Sequence, residues 1–268
     1  MMIRTLLPLL FAAAIVTAPP VLAQEPVVDD AAEFMSEDFD PKVMTLTGPA
    51  NLRELADRAG YDGDPTADYL FVVPQGVNIL GSPGGKGGRN DGGPALVSGS
   101  WPDGVEIWLF VRGHVYGGGG RGGNGGVIPV PTDGGRGGDA VVAQAPMTIV
   151  VLKTGSIKAG GGGGAGADGA PGLGGSGGGG GFPNGEPGQP GSPGPASGEF
   201  RSGDWGKPGT PGGGGRGGSR GIPGGRGGDT AMPGESANRV GGAPGNAVRL
   251  NGVEVTVLNG GQMYGEAY

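Results

Sequence analysis

The chain has 268 residues, of which 69 are glycine and 25 proline, while aromatic residues make up 6% and charged residues 16%. That composition excludes a large interdigitated side-chain core, so order has to come largely from backbone packing, against the high conformational freedom of glycine. With no cysteine and one histidine, His114, it also excludes disulfides, thiolate metal sites, a cysteine nucleophile and a His-rich metal site.

The formal charge of −7 is unevenly placed. Residues 24–80 carry twelve acids against Lys42, Arg53 and Arg58, whereas residues 81–268 carry thirteen acids against fourteen bases. The glycine-rich body is therefore nearly neutral, with its bases interspersed among acids. Nucleic acid, which selects a basic stripe, is not an expected partner.

Residues 1–23 read as a signal peptide: Arg4 supplies a positive start, Leu6 to Val16 a short apolar stretch, and Val21-Leu22-Ala23 a small-residue cleavage site. The apolar stretch is too short to span a bilayer and nothing later replaces it, so membrane insertion is not expected. Residues 24–45 read as an acidic disordered leader. Residues 46–111 read as a small α/β lead-in module. In it Asn51 caps a short helix with Glu54 completing the capping box, Gly60 ends that helix, and Tyr69–Val73 and Val77–Leu80 are strands joined by a turn at Pro74-Gln75-Gly76.

Residues 112–268 read as a glycine-rich repeat domain. Three segments, 105–117, 147–159 and 253–265, align without gaps. In each a β-branched run reaches Phe110, Leu152 or Leu258, a glycine follows (Gly113, Gly155, Gly261), and one apolar residue comes two positions later (Val115, Ile157, Met263). A shorter element precedes each, at Pro94-Ala95-Leu96, Asp139-Ala140-Val141 and Asn246-Ala247-Val248. Between the units glycine recurs every third residue, as from Gly163 to Gly181, Gly185 to Gly194 and Gly206 to Gly227. A polyproline II helix has three residues per turn, so this period puts glycine along one edge and lets a neighbouring backbone approach. The expected fold is accordingly mostly irregular and β: a packed polyproline II sandwich with short β-strand repeats, preceded by a small helix-plus-strand module.

Chemistry-bearing motifs are sparse. His114 occupies a repeat slot filled elsewhere by Ser156 and Gln262, which suits a surface residue better than a catalytic base, and no carboxylate pair has a catalytic context, so no enzyme and no cofactor are expected. Residues 134–142 match one calcium-binding nonapeptide, and 224–232 are a relative of it, which makes Asp139 and Asp229 calcium-ligand candidates. Such sites need tandem copies, and the alternative is that both aspartates cap backbone N–H groups and pair with Arg136 and Arg226. Phe182, Phe200 and Trp205, with Arg201, stand out inside glycine tracts and are the candidate receptor-binding residues, on the expectation that a sandwich of bare backbone has little interior for them; the alternative is that they cover apolar strand edges or fold back as local plugs. Loops 127–133 and 232–240 are further candidates by position.

The alternation of Gly-Asp/Asn-Ala-Val, a strand ending in Gly-x-apolar-x-Gly and a glycine tract resembles the glycine-rich tail-fibre adhesins of phages and prophages, typified by the receptor-recognising tail tip proteins of T-even-type phages. The resemblance covers about 50–268. It implies a layered polyproline II sandwich whose variable loops touch a bacterial surface protein or glycan, and it transfers no receptor residue, because those loops are the variable part. The signal peptide departs from the pattern and implies an exported protein, secreted, periplasmic or at the cell surface, with the virion tail as the site if a phage encodes it; oligomerisation stays open. Two other readings remain at this point: a structural or ice-binding polyproline II protein, and a collagen-like stalk, which Ser197 and Phe200 would interrupt at its glycine positions.

Overall fold

A computed structural model describes residues 40–85, 89–127, 130–193 and 200–267. The signal-peptide segment and the leader as far as residue 39 lie outside them.

The chain winds four times through the same three stations. Each turn of the coil has a short strand, a longer strand, a tight corner and a short return strand. The first turn uses β2 (Ala50–Asn51), β3 (Asp68–Val73) and β4 (Asn78–Leu80), with helix α1 (Leu52–Arg58) between β2 and β3. The second uses β5 (Leu96–Val97), β6 (Glu106–Val111) and β7 (His114–Tyr116); the third, β8 (Val141–Val142), β9 (Met147–Val151) and β10 (Ser156–Lys158); the fourth, β11 (Val248–Arg249), β12 (Val255–Asn259) and β13 (Gln262–Tyr264). Like strands pair in parallel, which gives three sheets of order β11-β8-β5-β2, β1-β3-β6-β9-β12 and β13-β10-β7-β4, with β1 (Lys42–Thr45) added at the edge of the second.

Parallel register stacks equivalent residues into columns that face one core. Phe71, Leu109, Ile149 and Val257 form one, Ile79, Val115, Ile157 and Met263 another, and Ala50, Leu96, Val141 and Val248 a third. All belong to a single buried cluster or pack against it. A fully buried side chain of this size contributes about 1.5–3 kcal/mol. The few apolar residues of the chain are thus concentrated where they count.

The expected polyproline II sandwich is therefore corrected: three parallel β-sheets form the architecture. The β-branched runs recur at heights that let each turn of the coil lie on the previous one, and ladder pairing then satisfies N–H and C=O groups that a stack of separate helices would have to satisfy otherwise. The helix-plus-strand reading agrees in part. Asn51 caps α1 and its side chain accepts from the Glu54 N–H at 3.3 Å, and Gly60 follows the helix with φ +91°. The strands after it, however, are the first turn of the same coil, sharing sheets with everything downstream to β13. Residues 42–45, the last of the acidic leader, form β1.

The corner glycines Gly113, Gly155 and Gly261 are needed for close approach. A Cβ on Gly113 would fall onto the carbonyls of Pro74 and Val77, one on Gly155 onto that of Val111, and one on Gly261 onto that of Leu152. Beyond the sheets, the glycine tracts run out and back as extended segments linked backbone to backbone. Gly123 N–H donates to the Gly164 carbonyl (2.8 Å), Gly164 N–H to Gly179 (2.8 Å), and Gly179 N–H to Gly225 (2.9 Å). Three residues farther out the same four segments are joined again, Gly126 to Ala167, Ala167 to Ser176 and Ser176 to Ile222. Three residues nearer the sheets, Gly120 bonds to Gly161, Gly161 to Phe182 and Phe182 to Gly228. The period of three in the sequence is the spacing of these hydrogen-bond levels.

In the return sheet His114 pairs across to Ser156, Nδ1 to Oγ at 2.8 Å, and stacks on Tyr116 at 5.8 Å between centroids. Burial, and secondarily the Lys158 charge, hold its pKa below the ordinary imidazole value of 6.5. The unfolded chain then takes up the proton first, so this contribution to stability is complete above about pH 6.5 and falls as pH drops through that value. Thermal unfolding should show a Tm that decreases from about pH 7.5 to 5.5 more steeply in the parent than in His114→Gln. A second test concerns the tracts. A Cβ on Gly178 would fall onto the Gly164 carbonyl, whereas one on Gly48 meets nothing within 4 Å. Denaturant unfolding should find Gly178→Ala destabilised by about 3 kcal/mol and Gly48→Ala changed by less than about 0.5 kcal/mol.

Candidate functional site

The hydrogen-bond levels define two ends. At the near end the tracts leave and re-enter the sheets; at the far end, beyond the level of Gly126, Ala167 and Ser176, they reverse in loops. Five sets of described residues come together there: 126–127 with 130–132, 168–173, 192–193 with 200–202, 219–222 and 236–239.

Specific contacts tie them. Val127 N–H donates to the Ser192 carbonyl (3.3 Å), Arg201 N–H to that of Gly172 (2.9 Å), and Gly174 N–H to that of Arg201 (2.6 Å). The Asn238 side chain accepts from the Asp168 N–H at 3.3 Å, Arg239 pairs with Asp168 at 3.1 Å, and Asp133 accepts from the Val240 N–H at 2.9 Å. Single loops of this composition would be floppy; cross-linked to one another they present a common surface.

What that surface offers is apolar. Of the nine large hydrophobic residues exposed among the described residues, four lie there: Val127, Val130, Leu173 and Phe200, the last 60% accessible. Elsewhere such residues are scattered, as is normal for a protein surface.

The candidate residues named from the sequence separate accordingly. Phe200 and Arg201 are exposed and belong to the far end. Trp205, 55% accessible, sits on the flank of the stack, between the levels and not at the tip. Phe182 is 3% accessible and packs edge-on against Tyr116 with 5.5 Å between ring centroids, at the near end where the tracts meet the return sheet. There is an interior pocket for it because the sheet block and the first glycine level meet there. Of the two loops named by position, 127–133 has its residues 127 and 130–132 at the far end, while 128 and 129 lie outside the described residues. Segment 232–240 spans the stack, its Met232 carbonyl accepting from Gly162 near the sheets and its residues 236–239 reaching the far end. The reversals at 168–173 and 219–222 were not singled out in the sequence, because the glycine period of three runs unbroken through both (Gly166, Gly169, Gly172; Gly218, Gly221, Gly224) and gives no signal of a turn.

The calcium-ligand candidates are engaged otherwise. Asp139, with its side chain 5% accessible, holds Arg136 at 2.8 Å and Arg249 at 2.9 Å and accepts from the Asn246 N–H at 2.8 Å. It therefore fastens the third turn of the coil to the fourth. Asp229 accepts from Arg226 and from the Gly214 N–H, both at 2.8 Å. Among the described residues no group of three or more His, Asp or Glu side chains could enclose a metal ion.

The sequence profile of the family described as phage tail fibre adhesin Gp38 matches residues 42–268. No curated protein sequence matches the chain. Among solved structures the chain is similar to one in the gp37-gp38 adhesin tip complex of the bacteriophage S16 long tail fibre, with 24% identity, a TM-score of 0.55, and coverage of 85% of this chain and 83% of that one. At that identity the likeness is one of fold.

Burial separates two of the aromatic residues in a way that thermal unfolding can read. Phe182→Ala should lose about 3 kcal/mol, and Phe200→Ala should stay within about 0.5 kcal/mol of the parent.

Proposed function

We propose, from the premise that this chain belongs to the phage tail fibre adhesin Gp38 family, that it reads a protein or glycan on the bacterial surface with the five loops gathered at the far end of its glycine tracts. The chain is a receptor-binding adhesin by its family, and the reading adds where the receptor is held and by what. The observation that carries it is the concentration of exposed apolar side chains at that one end, around Phe200 and Arg201.

The physical logic is preorganisation. Loops fixed by hydrogen bonds on a stack of cross-linked backbones lose little freedom on binding, so their few aromatic and aliphatic contacts count nearly in full. Selectivity then lies in loop shape and sequence, which can vary without disturbing the glycine levels beneath. Nothing in this role requires catalysis.

The opposite end, where the sheets lie, is left to attach the protein. The solved S16 assembly joins its adhesin to gp37, and a fibre subunit held at the sheet end of this chain is the corresponding arrangement. This gives a place in the phage tail. The reading of residues 1–23 as a signal peptide supports a second setting, an exported form in the periplasm or on the cell surface that uses the same module.

Binding of the labelled full-length chain to whole bacterial cells of a susceptible strain tests the proposal. A Phe200→Ala, Arg201→Ala chain should bind at least about 30-fold more weakly, the loss of about 2 kcal/mol expected of anchor residues, with an unchanged Tm. Val43→Ser, on the edge strand at the other end, should bind as the parent does. Equal binding by the double variant would overturn the assignment.

A further inference from the structure

On the flank of the stack, reaching up to the reversal at 219–222, two neighbouring extended segments leave an open groove of about 550 Å³ lined by residues 204, 205, 207 and 216–219. Its shape follows from the glycine pattern. Gly203 and Gly206 face inward, where a Cβ on either would fall onto the carbonyls of Gly175 and Gly178. Trp205, between them, is turned outward with 55% of its surface accessible. On the adjacent segment Gly217 and Gly218 carry no side chains, so the floor of the groove is bare peptide next to the indole. The two segments are joined by the Lys207 N–H donating to the Arg216 carbonyl at 2.7 Å, which places both basic residues beside the same groove.

Its charge is one-sided. Asp204 is already matched by Arg220, through an ion pair at 3.5 Å and a bond from the Arg220 N–H at 3.2 Å. Lys207 and Arg216 make no ion pair with any described residue, and both are exposed. An aromatic face, a polar peptide floor and two uncompensated cations suit a ligand with an apolar ring face and an anionic substituent. The indole takes the C–H face of a pyranose, and the guanidinium and ammonium groups take the anion. A flat hydrophobic partner would leave both charges unmatched, and a neutral sugar would make no use of them.

We infer that the Trp205 groove is a binding site for an anionic saccharide, with Trp205 as the stacking platform and Lys207 and Arg216 as the anion ligands. It borders the reversal at 219–222 but includes neither Phe200 nor Arg201, and it stands whether or not those bind a receptor.

The chain has three tryptophans, so the indole N–H of Trp205 is one of three resonances in an NMR spectrum of the full-length protein and is assigned by its loss in Trp205→Phe. Titration with a trimer of α-1,4-linked galacturonic acid or with glucose 6-phosphate should shift that resonance saturably and leave those of Trp101 and Trp108 in place. Saturation by the first identifies a carboxylate sugar, by the second a phosphorylated one, and either supports the site. A Lys207→Gln, Arg216→Gln chain with an otherwise unchanged spectrum should bind at least about tenfold more weakly, and Phe200→Ala should bind as the parent does. The inference is overturned if neither anion moves the Trp205 resonance, if maltotriose moves it with the same affinity, or if the double variant binds equally well.

Discussion

Two peptide backbones can lie against each other without side chains between them only where glycine removes the Cβ, and much of this protein depends on that approach. Gly123, Gly164, Gly179 and Gly225 form one level, each amide bonded to a neighbouring segment's carbonyl, and a methyl group at most positions of the glycine tracts would fall onto a neighbouring carbonyl. Each bond contributes about 1 kcal/mol net, while ordering glycine costs more than ordering any other residue. The tracts therefore hold only as a cooperative set, with bonds at every level and on several sides of each segment.

The sheets supply what the tracts lack. Columns such as Phe71-Leu109-Ile149-Val257 bury side chains that exclude water, and each turn of the coil delivers the start and the end of a glycine excursion at fixed heights. Asp139 adds a charged fastening between the last two turns, its two arginines offsetting the cost of a buried carboxylate. The loops at the far end are thus positioned by two different kinds of order in series, a conventional apolar core and then bare backbone. The proposed recognition surface begins where the second ends, so that its loops can differ while their support stays the same.

A good part of this was legible in the residues. The capped helix at Asn51–Arg58, the strands around Phe71, Phe110 and Leu258, and the returning Val115, Ile157 and Met263 could all be read from β-branched runs and turn signals. The resemblance to tail-fibre adhesins rested on the same repeat. The sheets went unrecognised as the architecture because the glycine period was the louder signal. The gap-free alignment also matched Phe110 with Leu152, whereas the ladder pairs it with Val150. The corner between β9 and β10 is two residues longer than that between β6 and β7, and a shift of two keeps every side chain on the same face, so pattern alone cannot detect it. The first turn of the coil was hidden similarly: Val77 stands where the other corners have glycine, and the turn is made one residue earlier by Gly76 at φ +81°. The interior position of Phe182 was invisible for another reason, since it needs Tyr116, 66 residues away in sequence, to provide the pocket.

Amide hydrogen exchange measures the central claim most directly. If backbone contact between bare glycines holds the tracts, the amides of Gly164, Gly178, Gly179 and Gly225 exchange slowly, within about a factor of ten of those of Ile149 and Ile157 in the sheets, because both open only with the whole domain. Exchange of those glycine amides at the rate of an unstructured chain, with the sheet amides still protected, would contradict it.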